Sequence, residues 1–497
     1  MIQFETRLKK LKHEVLKNVA LLAMKDDLTK ESLEKVPYEI ITGEKAQYRC
    51  CVYKERAIVQ ERVKLAAGYM PDGDNISDEY TDIRPEEQII YVIDAACDRC
   101  PIDKFNVTEG CRGCLAHRCI EVCPAQAISK VGGRAYINQE LCKECGLCKK
   151  ACPYNAISER CRPCKVACPT GALKVSLEDR KAQIEEKDCV NCGSCMANCP
   201  FGAISDKSLI VPVVKRLTHK RKMYAIVAPA LSGQFGPKVS YGQIKAAFKK
   251  VGFADMFEAA CGADAVTVHE AEEFVERMER GDKYMTNSCC PGFLSFIEKK
   301  FPDQVERVSG TVSPMIATGR YIKSLDPEAK VVFVGPCTAK KAEASKSNLK
   351  DAVDYVLTFE EIVAVLDAHG VNPADCEAEE IDDASVFGRG FGAGGGLTAA
   401  IENFVAGKGL EIEFKAVKAS GAQELKKTMT MAKAGRLEGN FIEGMMCEGG
   451  CINGAAVVNP IYKSKGAFTK NNSQATRKAV LDNERLDAFK SIKLDRE

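Results

Sequence analysis

The sequence has no hydrophobic run long enough to cross a bilayer: apolar stretches such as residues 209–214 fall far short of the ~20 residues a helical span needs. It also lacks an excess of either charge, with 71 Lys and Arg against 69 Asp and Glu. That balance gives no basic field for nucleic acid and no acidic surplus of the kind that keeps chains disordered. Residues 1–24 carry lysines and glutamates where a secretory leader would be apolar. Tryptophan is absent and phenylalanine scarce there, which argues against a helix lying in a bilayer surface. The expectation is a soluble, cytoplasmic protein with no membrane span and no nucleic-acid partner. Its 497 residues leave room for about three domains and a real hydrophobic core.

Cysteine is the residue in surplus: 26 in all, 17 of them within residues 97–199. A disulfide framework needs export, which nothing here directs. Thiolates this crowded are more economically read as ligands, since soft sulfur holds iron-sulfur clusters or zinc.

Composition and pattern divide the chain into four stretches. Residues 1–96 are motif-free and helical, with Leu8, Leu11, Val15, Val19 and Leu22 at helical spacing; Cys50 and Cys51 read as buried, inert thiols. Residues 97–206 are a tandem cluster-binding region. Residues 207–462 alternate apolar strands, such as Tyr224-Ala-Ile-Val-Ala and Val331-Val-Phe-Val, with helical patterns, which predicts an α/β domain. Residues 463–497 form a charged, helix-permissive tail.

Within 97–206 one ending recurs four times, Cys-Pro-x-x-Ala-aliphatic, at Cys123, Cys152, Cys168 and Cys199. Cys142, Cys145, Cys148 and Cys152 have the x2, x2, x3 spacing of a bacterial ferredoxin run, as do Cys189, Cys192, Cys195 and Cys199. In such runs three cysteines hold one 4Fe-4S cluster and the fourth serves its partner's. The first copy is a variant, Cys111, Cys114, Cys119 and Cys123. The third, Cys161, Cys164 and Cys168, has Ser158 where its first ligand belongs. Short links pair first copy with second and third with fourth. This predicts clusters on Cys111, Cys114, Cys119 and Cys152, on Cys142, Cys145, Cys148 and Cys123, and on Cys189, Cys192, Cys195 and Cys168. A fourth would use Cys161, Cys164 and Cys199, completed by Cys97 or Cys100; for those outlying cysteines zinc, or no metal, stays open. A chain of clusters moves single electrons between a surface partner and a reaction centre, so the next domain should hold that centre.

There, Asn287-Ser-Cys289-Cys290-Pro-Gly-Phe293, Gly335-Pro-Cys337-Thr-Ala-Lys340-Lys-Ala-Glu343 and Glu443-Gly-Met445-Met446-Cys447-Glu-Gly-Gly-Cys451 offer four thiolates from three loops, enough for one more cubane. These motifs resemble those of the iron-iron (FeFe) hydrogenases, over about residues 223–460, and the ferredoxin-like array resembles that family's accessory modules. The resemblance implies an α/β hydrogenase domain preceded by α+β ferredoxin-like 4Fe-4S modules and a helical N-terminal segment. It implies an H-cluster on Cys290, Cys337, Cys447 and Cys451: a 4Fe-4S cubane joined, through Cys451, to a two-iron unit bearing carbon monoxide, cyanide and an azadithiolate. Cys289 then resembles the proton-passing thiol, and Lys340 the lysine that donates to a cyanide. Ala228, Pro229 and Ala230 resemble the loop packed on the other cyanide, with Met445 in the third motif also at the cofactor. Glu270, Glu273, Arg277 and Ser309 resemble the proton relay to solvent; an ordinary charged helix face is the bland alternative, and a solvated surface lysine like Lys341 the bland reading of Lys340.

The implied activity is reversible reduction of protons to molecular hydrogen, with three to four accessory clusters exchanging electrons with ferredoxin or a similar carrier, in an anaerobic setting, and with hydrogenase maturation proteins as further partners. Departures from the family pattern (Asn287, Phe293, Gly335, Met315, and no triple glycine after Cys451) point to its group B branch. Two other readings are a hydrogenase-like iron-sulfur assembly protein without the two-iron unit, and a low-turnover hydrogen sensor. The glycine pattern Gly390-x-Gly392-x-x-Gly395 matches a dinucleotide fingerprint only formally and reads as a turn near the centre. Cys261 and Cys376 read as plain thiols.

Overall fold

The computed structural model describes residues 4–71, 88–101, 103–176 and 178–496. Among them no helix is long and apolar enough to cross a membrane.

Runs of apolar residues without alternation make strands buried on both faces, and these favour parallel sheets covered by helices. Met223–Val227 and Lys330–Gly335 are such runs. They form the centre of a four-stranded parallel sheet in the order 255–258, 223–227, 330–335, 355–358. A second parallel sheet pairs Phe441–Met445 with Met285–Thr286 on one side and Ala416–Ser420 on the other. Ligands of parallel α/β sheets bind beyond the carboxyl ends of the strands. Every motif segment of the α/β domain lies there: Ala228 follows 223–227, Cys337 follows 330–335, Cys289 and Cys290 follow 285–286, and Cys447 follows 441–445.

The cluster region is built from two copies of one ferredoxin-like unit. In one, strands Phe105–Val107 and Ile157–Glu159 pair antiparallel around the hairpin Ile128–Val131 and Arg134–Ile137. In the other, Ile90–Val92 and Ile204–Asp206 pair around Leu173–Val175 and Ala182–Ile184. The expected α/β domain with α+β ferredoxin-like modules is therefore the observed fold.

Two boundaries differ from the sequence reading, while the amphipathic helix it placed near the N-terminus is present. Residues 89–96 join the cluster region through the strand 90–92, so the boundary at 96 runs through one sheet. Helix Arg7–Met24, capped by Thr6, buries Val15, Val19, Ala20 and Ala23 against helices Ile210–Thr218 and Phe359–Ala368 of the α/β domain. Helix Ile461–Ser473 crosses the boundary drawn at 462, and the tail returns to the domain, where Val312 N donates to Leu494 O at 2.7 Å.

Candidate metal centre and its proton path

Cys290 caps helix Pro291–Lys300, whose first-turn N–H groups and Pro at N1 suit an anionic neighbour. Cys337 stands before the short helix Ala339–Ser345. Cys447 and Cys451 flank Gly449 and Gly450, both at positive φ, 77° and 95°. A Cβ on Gly450 would lie 2.5 Å from Gly394 N, so only glycine lets this turn meet the glycine-rich loop. The four thiols converge. Burial, then the charges of Cys290 and Cys451, push Cys337 up to about 12, and Cys447 is raised well above the usual thiol value by burial and by Cys337, Cys290 and Cys451. Thiols raised in this way, as Cys337, Cys447 and Cys451 are, hold their protons until a cation takes them, which is the chemistry of a metal-thiolate site.

Lys340 is 9% exposed and ion-paired with Glu343 at 2.7 Å. Burial alone would depress its pKa, but Glu343 and the nearby Cys337 and Cys289 raise it, so the ammonium stays charged. Its other bond is to the Cys289 carbonyl at 3.3 Å, which leaves one of its three N–H groups for an anionic ligand. Lys341, read as a surface residue, is buried: it bonds Asp206 at 2.8 Å and Glu361 at 3.0 Å, tying the cluster region to the α/β sheet. The loop Ala228 to Ala230 is buried apart from Pro229, and Met445 ends its strand fully enclosed.

Cys289 is buried and lies beside Glu270. A row of hydrogen-bonding side chains leads outward from it. Glu270 Oε1 accepts from Ser288 N at 3.3 Å, and Ser309 lies beside this carboxyl group. Ser309 Oγ donates to Glu273 Oε2 at 2.7 Å, and Arg277 donates to Glu273 Oε1 at 2.6 Å near the surface. Burial, then the charge of Glu273, raises Glu270 to about 8. Two residues that the sequence reading gave no role complete the site. Asn287 Nδ2 donates to Cys289 Sγ at 3.2 Å while its Oδ1 accepts from Gly444 N at 2.7 Å. Glu443 accepts from Gly395 N and Thr398 N at 2.7 and 2.9 Å, anchoring the glycine-rich loop. The first motif's asparagine was legible only as a departure, and Glu443 only as a motif letter.

In the cluster region the first two predicted sets each surround a hollow, lined by Cys111, Cys114, Cys119 and Cys152 and by Cys123, Cys142, Cys145 and Cys148. The third set, Cys168, Cys189, Cys192 and Cys195, is also mutually close; burial, then Cys192, Cys189 and Cys168, drive Cys195 far upward. Among the described residues no three His, Cys, Asp or Glu side chains close on a single-ion site. The recurrent alanine has a use: Ala127, Ala156 and Ala203 donate their N–H to Cys123, Cys152 and Cys199 at 3.3–3.4 Å, which orients each sulfur. The fourth set differs from expectation. Cys164 has Cys199, Cys100 and Cys97 beside it, whereas Cys161 is exposed and turned to Glu159 at 3.6 Å. Cys50 and Cys51 are exposed, not buried, because Cys51 starts the helix Val52–Ala66 at the surface.

The third set adjoins the four thiols of the α/β domain. A Cβ on Gly292 would meet Cys192 Cβ at 3.6 Å, and Cys192 is among the charges acting on Cys447. Residues 221–455 match the family model for the C-terminal domain of the iron-only hydrogenase large chain. Residues 135–158 match a 4Fe-4S binding domain and 159–203 a 4Fe-4S dicluster domain. The periplasmic [Fe] hydrogenase large subunit of Nitratidesulfovibrio vulgaris is 30% identical over 301 residues, 50% of this chain and 72% of that protein. The chain belongs to the iron-only hydrogenase family. Iron hydrogenase 1 of Clostridium pasteurianum is 32% identical over 46% of this chain, a match that spans 47% of that protein's length. A probable cytosolic Fe-S cluster assembly factor of Aedes aegypti is 27% identical over 47% of this chain and 60% of its own. Family membership and 4Fe-4S binding thus hold for this chain, while its relatives include both hydrogenases and assembly factors.

Proposed function

We propose that this family member is an FeFe hydrogenase that interconverts protons, electrons and molecular hydrogen at an H-cluster held by Cys290, Cys337, Cys447 and Cys451. The observation that carries the reading is the placement of Cys289 and Lys340, which no cubane needs, against those four thiols. When bound, the cluster supplies electron-rich iron at which hydrogen is made or split. The protein's own part is proton handling and electron supply. Lys340 presents a fixed positive charge to an anionic ligand, as Glu343 keeps it charged. Cys289 holds a proton, oriented by Asn287, and exchanges it with Glu270; Ser309, Glu273 and Arg277 continue the path to solvent. The third cysteine set stands nearest and feeds electrons inward. The 105–159 unit exposes Leu115, Tyr136, Leu141 and Tyr154, apolar side chains that a ferredoxin-type carrier in the cytoplasm could contact.

The assembly-factor reading is the competitor, since such proteins are among the relatives. Infrared spectroscopy of anaerobically matured protein separates the two: carbon monoxide and cyanide bands are expected, and their absence after maturation overturns the hydrogenase reading. Cys289→Ala should keep those bands while turnover falls about 10²–10⁴-fold. Cys290→Ala, lacking a ligand, should lose bands and turnover together.

A further inference from the structure

The two ferredoxin-like units are not consecutive. The unit 105–159 lies wholly inside the other, between Cys100 and Cys164. Aligned by structure, the units correspond step by step. The inner one runs from its first strand to Cys111-x2-Cys114, then four residues to Cys119-x3-Cys123-Pro, then its hairpin. The outer one runs from strand 90–92 to Cys97-x2-Cys100, then 63 residues to Cys164-x3-Cys168-Pro, then its hairpin. Cys123 and Cys168 each precede the hairpin by the same interval, as Cys152 and Cys199 precede the closing strand.

A hydrogen bond fixes the equivalence. In the inner unit Ala135 N, on the second hairpin strand, donates to Cys111 Sγ at 3.4 Å. In the outer unit Ala182 N, at the corresponding strand, donates to Cys97 Sγ at 3.3 Å. Cys97 therefore stands where Cys111 stands, and Cys100 and Cys164 where Cys114 and Cys119 stand. A second, independent feature marks the place for an anionic group. Arg162 acts on both Cys97 and Cys100, and its Nη1 is buried without a hydrogen-bond partner. A buried guanidinium N–H left unpaired is costly. Inorganic sulfide and thiolate would accept from it.

We propose that Cys97, Cys100, Cys164 and Cys199 together ligate a fourth accessory 4Fe-4S cluster, neutralised in part by Arg162, and that Cys161 is not a ligand. The inference deepens the electron-supply part of the proposed function and rests on its reading of the cysteine sets as cluster sites. It gives the chain four complete accessory sets, two in each unit. The outer unit carries the pair nearer the α/β domain, and the inner unit carries the outlying pair.

The test is thiol footprinting of the cluster-loaded full chain under anaerobic conditions, with iodoacetamide as probe, iron analysis in parallel and mass spectrometry as readout. Cys161 should alkylate about tenfold or more faster than Cys97, Cys100, Cys164 and Cys199, which become reactive only after a chelator strips the iron. Cys161→Ala should leave the iron content unchanged, and Cys100→Ala should lower it by up to about four per chain. Protection of Cys161, or free alkylation of Cys97 and Cys100 alone, overturns this ligand set while leaving the rest of the cluster reading intact. Alkylation of the Cys189 and Cys142 runs as well would overturn the cluster reading together with this set. Missing infrared bands would sink the hydrogenase reading without moving the footprint. The footprint uses the unaltered chain, so a variant that fails to fold does not remove the test.

Discussion

Glu270 has no exposed surface, and its Oε2 meets no hydrogen-bond donor. Burial and the neighbouring Glu273 raise its carboxyl group from 4.5 to about 8, so it carries a proton at neutral pH, the proton that the proposed function passes to Cys289. The same shift has a cost in stability. A carboxyl group that binds its proton more tightly when folded costs nothing below about pH 4.5, costs progressively more between pH 4.5 and 8, and levels off above. Glu270→Gln should remove that slope. Denaturant midpoints of variant and wild type should agree at pH 4.5 and diverge toward pH 8, the variant being more stable by a few kcal/mol at most. A difference independent of pH would show that Glu270 is not the protonated residue described. Hydrogen turnover should fall in the same variant, because an amide does not ionise near neutral pH and cannot exchange its protons as a carboxyl group does. At this scale the sequence displayed residue types and spacing but not neighbours. Glu270, Glu273 and Arg277 were legible as one helix face, while Asn287 and Lys341 were not, because what they touch comes from strands 157 and 135 positions away.

Strand Phe441–Met445 and helix Pro291–Lys300 set the distance between two of the thiol-bearing loops, and one glycine governs their approach. A Cβ on Gly444 would lie 2.2 Å from the Phe293 ring. Gly444→Ala should push the helix outward, with a loss of about 1–3 kcal/mol in chemical denaturation, the usual cost of overpacking. Phe293→Leu made in the same chain should recover part of that loss, since the two changes share one space. Independent, additive losses would refute the packing account. Elements like these were largely legible, because the apolar runs of 223–227 and 330–335 specify buried parallel strands through their own composition. Their placement beside the 441–445 sheet was not, since nothing local records which sheet a strand joins.

For the whole molecule, the spacing of cysteines misled in one instructive place. Counting back from Cys168 reaches Cys161 because a Cys-x2-Cys pair occurs there, yet the partner of Cys164 is held 64 positions upstream by the pairing of 90–92 with 204–206. A nested unit breaks linear counting but leaves a mechanical signature: its ends must meet. They do, since Phe105 pairs with Glu159 and Arg160 N donates to Lys104 O at 2.6 Å. The inner unit also has its own core of Phe105, Ile128, Ile137, Cys148 and Ile157, separate from the core around Ile90 and Ile204. Residues 105–159 should therefore be removable, with Lys104 joined to Arg160 through about two glycines, without disturbing the outer unit or the α/β domain. Iron should drop by about eight per chain, the content of two cubanes. Hydrogen turnover driven by a small viologen should stay within a few-fold of the full chain, because the outer clusters remain. Turnover driven by ferredoxin should fall about tenfold or more as the exposed Leu115, Tyr136, Leu141 and Tyr154 go with the inner unit. A loss nearer twelve irons would mean that the Cys97 set depends on the inserted unit, and equal losses with both donors would place the carrier's docking face elsewhere.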